Sequence, residues 1–294
     1  MRGFLIYGSY RLLGALTGPL PPQAGYALAR RVGPLLYAFS PGLRRALSHN
    51  MRHVLGSEAS EEEVQAVVRQ ACVNIAKGHY DLFHLSHLTV DQIREMAHIE
   101  GWEHFEAALA RGKGVIVVSA HFGNVDVVGQ LPAIYGVPIL SPAMRIKPER
   151  LFRYTMSLRQ AHGLQLMPMD GPLLQIYRTL RRGEIVALPC DRGIAESSQW
   201  FEFFGAPALL PTGPIRLALR TGAAVLPVFA LRLEDGTFHI QIEPQLELES
   251  TGDRQADVVS GMKKVIAIME RHISQHPEQW LVAAPVWPME EEQV

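Results

Sequence analysis

A histidine at the tip of a buried strand, with an acid five residues on, is the pattern in this 294-residue sequence best suited to chemistry. Gly114-Val-Ile-Val-Val-Ser119 is rich in β-branched residues and reads as a strand buried on both faces. It runs into Ala120-His121-Phe122-Gly123-Asn124-Val125-Asp126, where a helix is predicted to begin at Gly123 or Asn124. Open α/β sheets hold ligands beyond the carboxyl ends of their strands, and His121 lies there. With His121 in the loop and Asp126 in the first helical turn, the carboxylate can reach back to the imidazole. It would fix the tautomer and stabilise the imidazolium as the other ring nitrogen takes a proton. That is general-base activation of a hydroxyl. N–H groups at the helix start would face a developing oxyanion. Spacing alone does not decide the matter, because His53 with Glu58 and His98 with Glu103 share it. Only His121 follows a buried strand, and a core or capping histidine is the competing reading.

Other candidates surround this segment. Arg145, Lys147, Arg150, Arg153 and Arg159 follow the next strand. Arginine forks match phosphate oxygens, and a solvated helix face is the alternative. Asp191 and Arg192 follow a second buried run, Glu184 to Leu188. They would orient substrate, support His121, or form a structural salt bridge. Glu202 stands in the alternating run Trp200-Phe-Glu-Phe-Phe204, so it either faces solvent or is a second partner for His121. His79, His84 and His87 read as a helix face without metal.

These residues need a scaffold. Residues 1–95 read as helical, punctuated by Pro and Gly at 18 to 22, 33 to 34 and 41 to 42, with a helical period from Glu61 to Leu88. Residues 96–294 alternate strands and helices. Strands are predicted at 137–140, 164–167 and 184–188, helices at 124–131, 148–162, 172–182 and 255–272, and a hairpin at 223–242 turning on Glu234-Asp235-Gly236. The fold class is α/β: a mostly parallel sheet flanked by helices, with a helical N-terminal portion.

Composition narrows the functional classes. The net charge of -1 excludes nucleic-acid binding by bulk electrostatics. Cys72 and Cys190 are too far apart in sequence for a CxxC pair, and a reducing compartment is the plain reading. Residues 1–56 contain seven arginines and no acid, whereas Glu290, Glu291 and Glu292 lie near the other end. The apolar stretch from Gly3 to Leu20 is too interrupted for a span or signal peptide. An interfacial helix fits better, with Phe4, Leu5, Tyr7, Leu12 and Leu16 in an anionic membrane surface.

His121-Phe-Gly-Asn-Val-Asp126 resembles the HxxxxD/E signature of the lysophospholipid acyltransferase superfamily, in its lipid A and phosphatidylinositol mannoside acyltransferase branch. Asn50-Met-Arg-His-Val-Leu-Gly56, Pro189-Cys-Asp-Arg192, Phe203-Phe-Gly205, Pro211-Thr-Gly-Pro-Ile-Arg-Leu-Ala218 and His276-Pro-Glu-Gln-Trp280 support the likeness in the family's order. The resemblance implies a glycerolipid acyltransferase-like fold and transfer of an acyl group from acyl-CoA or acyl carrier protein to a hydroxyl of a glycolipid. No cofactor or metal is implied. The implied place is peripheral, on the cytoplasmic face of the inner membrane. Arg159 matches an arginine of the mannoside acyltransferase pattern, and an acid near Glu196 or Glu202 is expected to serve His121. Asp126 and Glu202 thus join His121 as catalytic candidates, with Arg145, Arg159, Asp191, Arg192, Phe122 and Asn124 as substrate contacts. Val125, Val128, Met169, Phe203 and Phe204 are candidates to hold the acyl chain. The stretch Leu281-Val-Ala-Ala-Pro-Val-Trp287 departs from the Arg-rich terminus of lipid A enzymes and favours the mannoside type. Lysophospholipid acylation, thioester hydrolysis and non-catalytic lipid binding are the alternatives.

Overall fold

A computed structural model of the chain describes residues 2–194 and 197–289. It begins with four long helices: α1 (Arg2–Thr17), α2 (Pro22–Phe39), α3 (Pro41–Leu55) and α4 (Glu61–His84). Ser60 starts α4 with a capping box, its Oγ accepting from Glu63 N at 3.2 Å while Glu63 Oε2 accepts from Ser60 N at 2.8 Å. The predicted break at 33–34 does not occur, and α2 runs through Pro34. An interior proline costs a helix about 3 kcal/mol, and packing of α2 on α4 offsets this. Gly33 permits the approach, since a Cβ there would lie 2.5 Å from the Val73 side chain.

The rest alternates: α5 (Val90–Glu95), β1 (Ala97–Glu100), α6 (Trp102–Ala110), β2 (Val115–Ser119), α7 (Val125–Val128), α8 (Leu131–Ile134), β3 (Ile139–Ala143), α9 (Glu149–Arg159), β4 (Gln165–Pro168), α10 (Leu173–Arg181) and β5 (Ile185–Pro189). Then come β6 (Ser198–Phe203), β7 (Ala206–Pro211), α11 (Gly213–Thr221), β8 (Ala224–Arg232), β9 (Phe238–Ile242) and α12 (Arg254–Gln275). Seven strands form one sheet in the order β1-β9-β8-β2-β5-β3-β4. All neighbouring pairs are parallel except β8 with β9. The fold is therefore α/β with a mostly parallel sheet, helices on both faces and a helical N-terminal part, as expected. The predicted helix from 124 to 131 is instead the two short helices α7 and α8. The β6–β7 hairpin was not anticipated as a separate two-stranded sheet.

Side chains alternate across each strand, so the sheet has two cores. Ile116, Val118, Val186 and Val225 pack on one face with Leu47, Met51, Val64 and Val68 of α3 and α4. Val115, Ile185, Ala224 and Leu226 pack on the other with Phe105 and Ala108 of α6 and Leu131 of α8. The N-terminal helices thus share a core with the sheet.

Candidate active site

β2 and β5 are parallel neighbours in register, Ser119 opposite Pro189. The residues two further along each chain therefore emerge side by side, and they are His121 and Asp191. Asp191 is fully buried, and three donors meet its carboxylate. Oδ1 takes the Nδ1 hydrogen of His121 at 2.7 Å. Oδ2 accepts from the His121 backbone N–H at 2.7 Å and from the Trp280 indole at 2.8 Å. With its Nδ1 hydrogen committed, the imidazole keeps its lone pair on Nε2. Its side chain is 36% exposed, and His121 lines the large cavity described below.

Charge tunes the pair. Burial pushes the His121 imidazole toward its neutral form, but the Asp191 carboxylate outweighs this by charge and hydrogen bond, and the pKa ends above the ordinary value. Burial likewise works against the ionised Asp191, yet His121 and the Trp280 indole hold its carboxyl below the usual range.

The loop between β2 and α7 is shaped backbone by backbone. Gly123 has φ +61°, and any Cβ there would strike the Ala230 carbonyl. Asn124 is buried and wholly engaged. Its Oδ1 accepts from Asp126 N at 3.0 Å and Val127 N at 3.3 Å, while Nδ2 donates to Asp81 Oδ2 at 2.6 Å. Asp81 in turn pairs with buried Arg232 and accepts from the Tyr26 hydroxyl at 2.9 Å. A buried polar network thus ties α2, α4 and β8 to the His121 loop.

Several expectations are corrected. Asp126 does not reach back to the imidazole; Asp191 occupies that place. Asp126 is turned toward α9, where Arg159 Nε lies 2.9 Å from its Oδ1, too far off line for a hydrogen bond and so an ion pair by charge. Glu202 lies on β6 between buried Phe201 and Phe203, so strand alternation points it to solvent, and it is not among the cavity's lining residues. Glu196 lies outside the described residues. Asn124 builds the loop and is not among the cavity's lining residues. At the start of α7 the Asp126 and Val127 N–H groups are taken by Asn124 Oδ1, so these two are not available to an oxyanion. Arg145 is exposed, donating to Asp170 at 3.0 Å and pairing with Glu149 at 3.5 Å, and does not line the cavity. Phe203 and Phe204 stand behind the site with Trp287, outside the cavity lining.

Other expected residues do converge. Arg159, Arg192, Phe122, Val125, Val128 and Met169 all line one cavity with His121. Its volume is about 490 Å³. Val117, Ala187 and Val228 contribute its wall along one sheet face, and Trp102 and Phe105 contribute from α6. Met144, Met169, Leu173 and Ile194 belong to both the lining and the exposed surface, so the mouth is apolar too. The arrangement is a base with an orienting carboxylate, two arginines and a long apolar recess. Such a site can deprotonate a hydroxyl beside a hydrocarbon chain.

Sequence reasoning grouped Asp191 with the substrate contacts, with support of His121 as one of its open alternatives, and gave Trp280 no role beyond its motif. Both His121 and Asp191 stand two residues past a buried strand, a usable signal, but pairing them required knowing that β2 and β5 are neighbours.

Comparison with known proteins gives the chain's family. The family model described as bacterial lipid A biosynthesis acyltransferase matches residues 5–288. A phosphatidylinositol mannoside acyltransferase of Mycobacterium tuberculosis is 30% identical over 193 residues, covering 64% of this chain and 59% of that protein. This chain thus spans under two thirds of that relative's length. The phosphatidylinositol mannoside acyltransferase of Mycolicibacterium smegmatis is 27% identical over 290 residues, 94% of this chain and 93% of the relative. A lipid A biosynthesis acyltransferase of Haemophilus influenzae is 22% identical over 282 residues, 94% and 82% of the two chains. With a match over nearly its whole length, the chain belongs to the bacterial lipid A biosynthesis acyltransferase family.

Proposed function

We propose that this chain transfers a fatty acyl group from acyl-CoA or acyl carrier protein to a hydroxyl of a glycolipid of the phosphatidylinositol mannoside or lipid A type. The observation that carries the reading is the His121–Asp191 pair opening on an apolar cavity. His121 Nε2 takes the acceptor hydroxyl proton as the oxygen attacks the thioester carbonyl. Asp191 stabilises the imidazolium. Arg159 and Arg192 face the cavity and supply positive charge for the tetrahedral oxyanion or for substrate phosphates. The thiolate then leaves and recovers the proton from His121. Atoms balance without a covalent enzyme intermediate.

The reaction belongs at a membrane surface. Phe4, Leu5, Leu12 and Leu16 of α1 are each 60% exposed or more, an arrangement suited to the headgroup boundary. Tyr10, on the same helix, feels the charges of Arg159 and Asp126, and burial pushes its hydroxyl up to about 12. Tyr7 and Tyr10 of α1 each pack against Tyr154 at 6.3 Å, so the apolar helix lies on α9, which carries the cavity residue Arg159. Among the described residues no helix is long and apolar enough to cross a membrane. A peripheral place on the cytoplasmic face of an anionic membrane, where soluble thioesters are made, is part of the proposal.

The test is transfer of labelled palmitoyl from palmitoyl-CoA or palmitoyl-acyl carrier protein to lysophospholipids, phosphatidylinositol mannosides and lipid A precursors. Label is expected in a glycolipid and not with His121→Ala, which should fall by several orders of magnitude while keeping its fold. Label released only as free fatty acid would replace transfer by hydrolysis. A near-normal rate in His121→Ala would remove the histidine from the chemistry.

A further inference from the structure

The segment around Glu278-Gln279-Trp280 takes no part in the reaction as drawn, yet it is among the most firmly held in the molecule. Asn74 Nδ2 donates to the Glu278 carbonyl at 2.9 Å. Asn50 Nδ2 donates to the Val282 and Ala284 carbonyls at 3.1 and 2.9 Å, and Asn50 Oδ1 accepts from Val286 N at 3.0 Å. The Gln279 side chain closes a ring on Arg232, donating to its carbonyl and accepting from its N–H, both at 2.8 Å. Anchors thus come from α3, α4 and β8. The segment faces the catalytic loop. The Gln279 carbonyl accepts from Gly123 N at 2.9 Å, and Leu281 N donates to the His121 carbonyl at 2.8 Å. Between these bonds Phe122 and Trp280 form an antiparallel bridge.

Trp280 is fully buried, with ring edges set against Phe203 and Trp287 at 6.0 Å each. That packing leaves the indole no freedom to turn its N–H away from Asp191 Oδ2. Asp191 would otherwise be held there by the His121 backbone N–H alone. With two donors on Oδ2, the carboxylate plane is fixed and Oδ1 stays aimed at Nδ1.

We propose that Trp280 is a positioning residue for the His121–Asp191 pair, and that the clamped segment from Glu278 to Trp287 is the template on which the catalytic loop is set. The proposal rests on His121 being the base. Asn50 reaches the same strap from α3, although 232 positions separate it from Val282.

The charged and titratable groups that bear on His121 are Asp191 and Arg192 beyond β5 and Arg159 on α9, itself paired with Asp126; the Cys190 thiol lies beside Asp191. Of these groups the Trp280 indole touches only Asp191, so loss of its N–H reaches the titration of His121 through Asp191.

Two variants test this. Trp280→Phe keeps an aromatic ring and loses the N–H. Replacing Trp280 with 3-benzothienylalanine puts sulfur in place of the N–H at nearly unchanged shape, and it decides the matter should Trp280→Phe fold poorly. Each should lower kcat about ten-fold with KM unchanged, the size expected for one hydrogen bond to a charged group. The acid limb of kcat/KM should move to higher pH, because a carboxylate with one donor fewer binds the imidazolium more strongly. An NMR titration of His121 should move the same way. A lowered melting temperature with kcat and the acid limb at wild-type values would overturn the positioning role and leave the base intact. Wild-type activity in His121→Ala would overturn both.

Discussion

Replacing Asp191 by Asn is the sharpest probe of the site. The amide has the same shape as the carboxylate, so the cavity is preserved. The carboxylate, however, meets three donors: the His121 Nδ1 hydrogen, the His121 backbone N–H and the Trp280 indole, at 2.7, 2.7 and 2.8 Å. An amide has one oxygen to offer. Two of the donors, both fixed by packed structure, converge on Oδ2, and leaving either buried and unpaired costs about 1–3 kcal/mol. The amide oxygen therefore settles toward them, and the NH2 group faces Nδ1. Nδ1 must then be the acceptor, which places the imidazole hydrogen on Nε2 and removes the lone pair that takes the substrate proton. Loss of the working tautomer in a histidine–carboxylate pair costs on the order of 10⁴ in turnover, about 5.5 kcal/mol of barrier. A second effect goes with it. In the wild type the neutral base is lost below the His121 pKa, which Asp191 holds above the ordinary value of about 6.5, so the acid limb of kcat/KM lies above that value. In Asp191→Asn, burial and the nearby Arg192 and Arg159 act unopposed, and residual activity persists to lower pH. The assay is steady-state acyl transfer from pH 5 to 9. A variant within ten-fold of wild type, or one whose acid limb stays in place, would refute this account of the pair.

Two further outcomes separate the site from its surroundings. Glu202→Gln should leave turnover and its pH profile unchanged, since the side chain faces solvent; a hundred-fold loss would return Glu202 to the site. Asp81→Asn leaves Arg232 without its counter-charge in a place where both side chains are under 5% exposed, and breaking such a pair costs about 3–5 kcal/mol. Thermal unfolding should shift down on the order of 10 °C, and a shift under 2 °C would mean the network stabilises little.

Much of this architecture was written in local patterns. The β-branched run before His121, the Glu234-Asp235-Gly236 turn and the apolar period from Glu61 onward are all local patterns, so sequence exposed β2, the β8–β9 hairpin and α4. The partner of His121 was different. Asp126 is near in sequence and Asp191 is 70 positions away, and only the strand order decides between them. Helix α7 turns Asp126 toward Arg159, a contact that no spacing rule contains. Alternation around Glu202 was visible, but which face of β6 is buried depends on the packing of Phe201 and Phe203. Pro34 failed as a helix break because α4 holds α2 on the far side of Gly33.

The strap beneath the catalytic loop also bears on how the site is made. Synthesis delivers β2 and the His121 loop more than 150 residues before Trp280. Every strand of the sheet is synthesised before the indole that completes the carboxylate's shell. Contacts of such sequence separation close slowly, so the strap's hold on the catalytic loop is late among the contacts the chain can make. The final setting of the acid–base pair therefore waits for residues 278–287, made after the sheet that carries it.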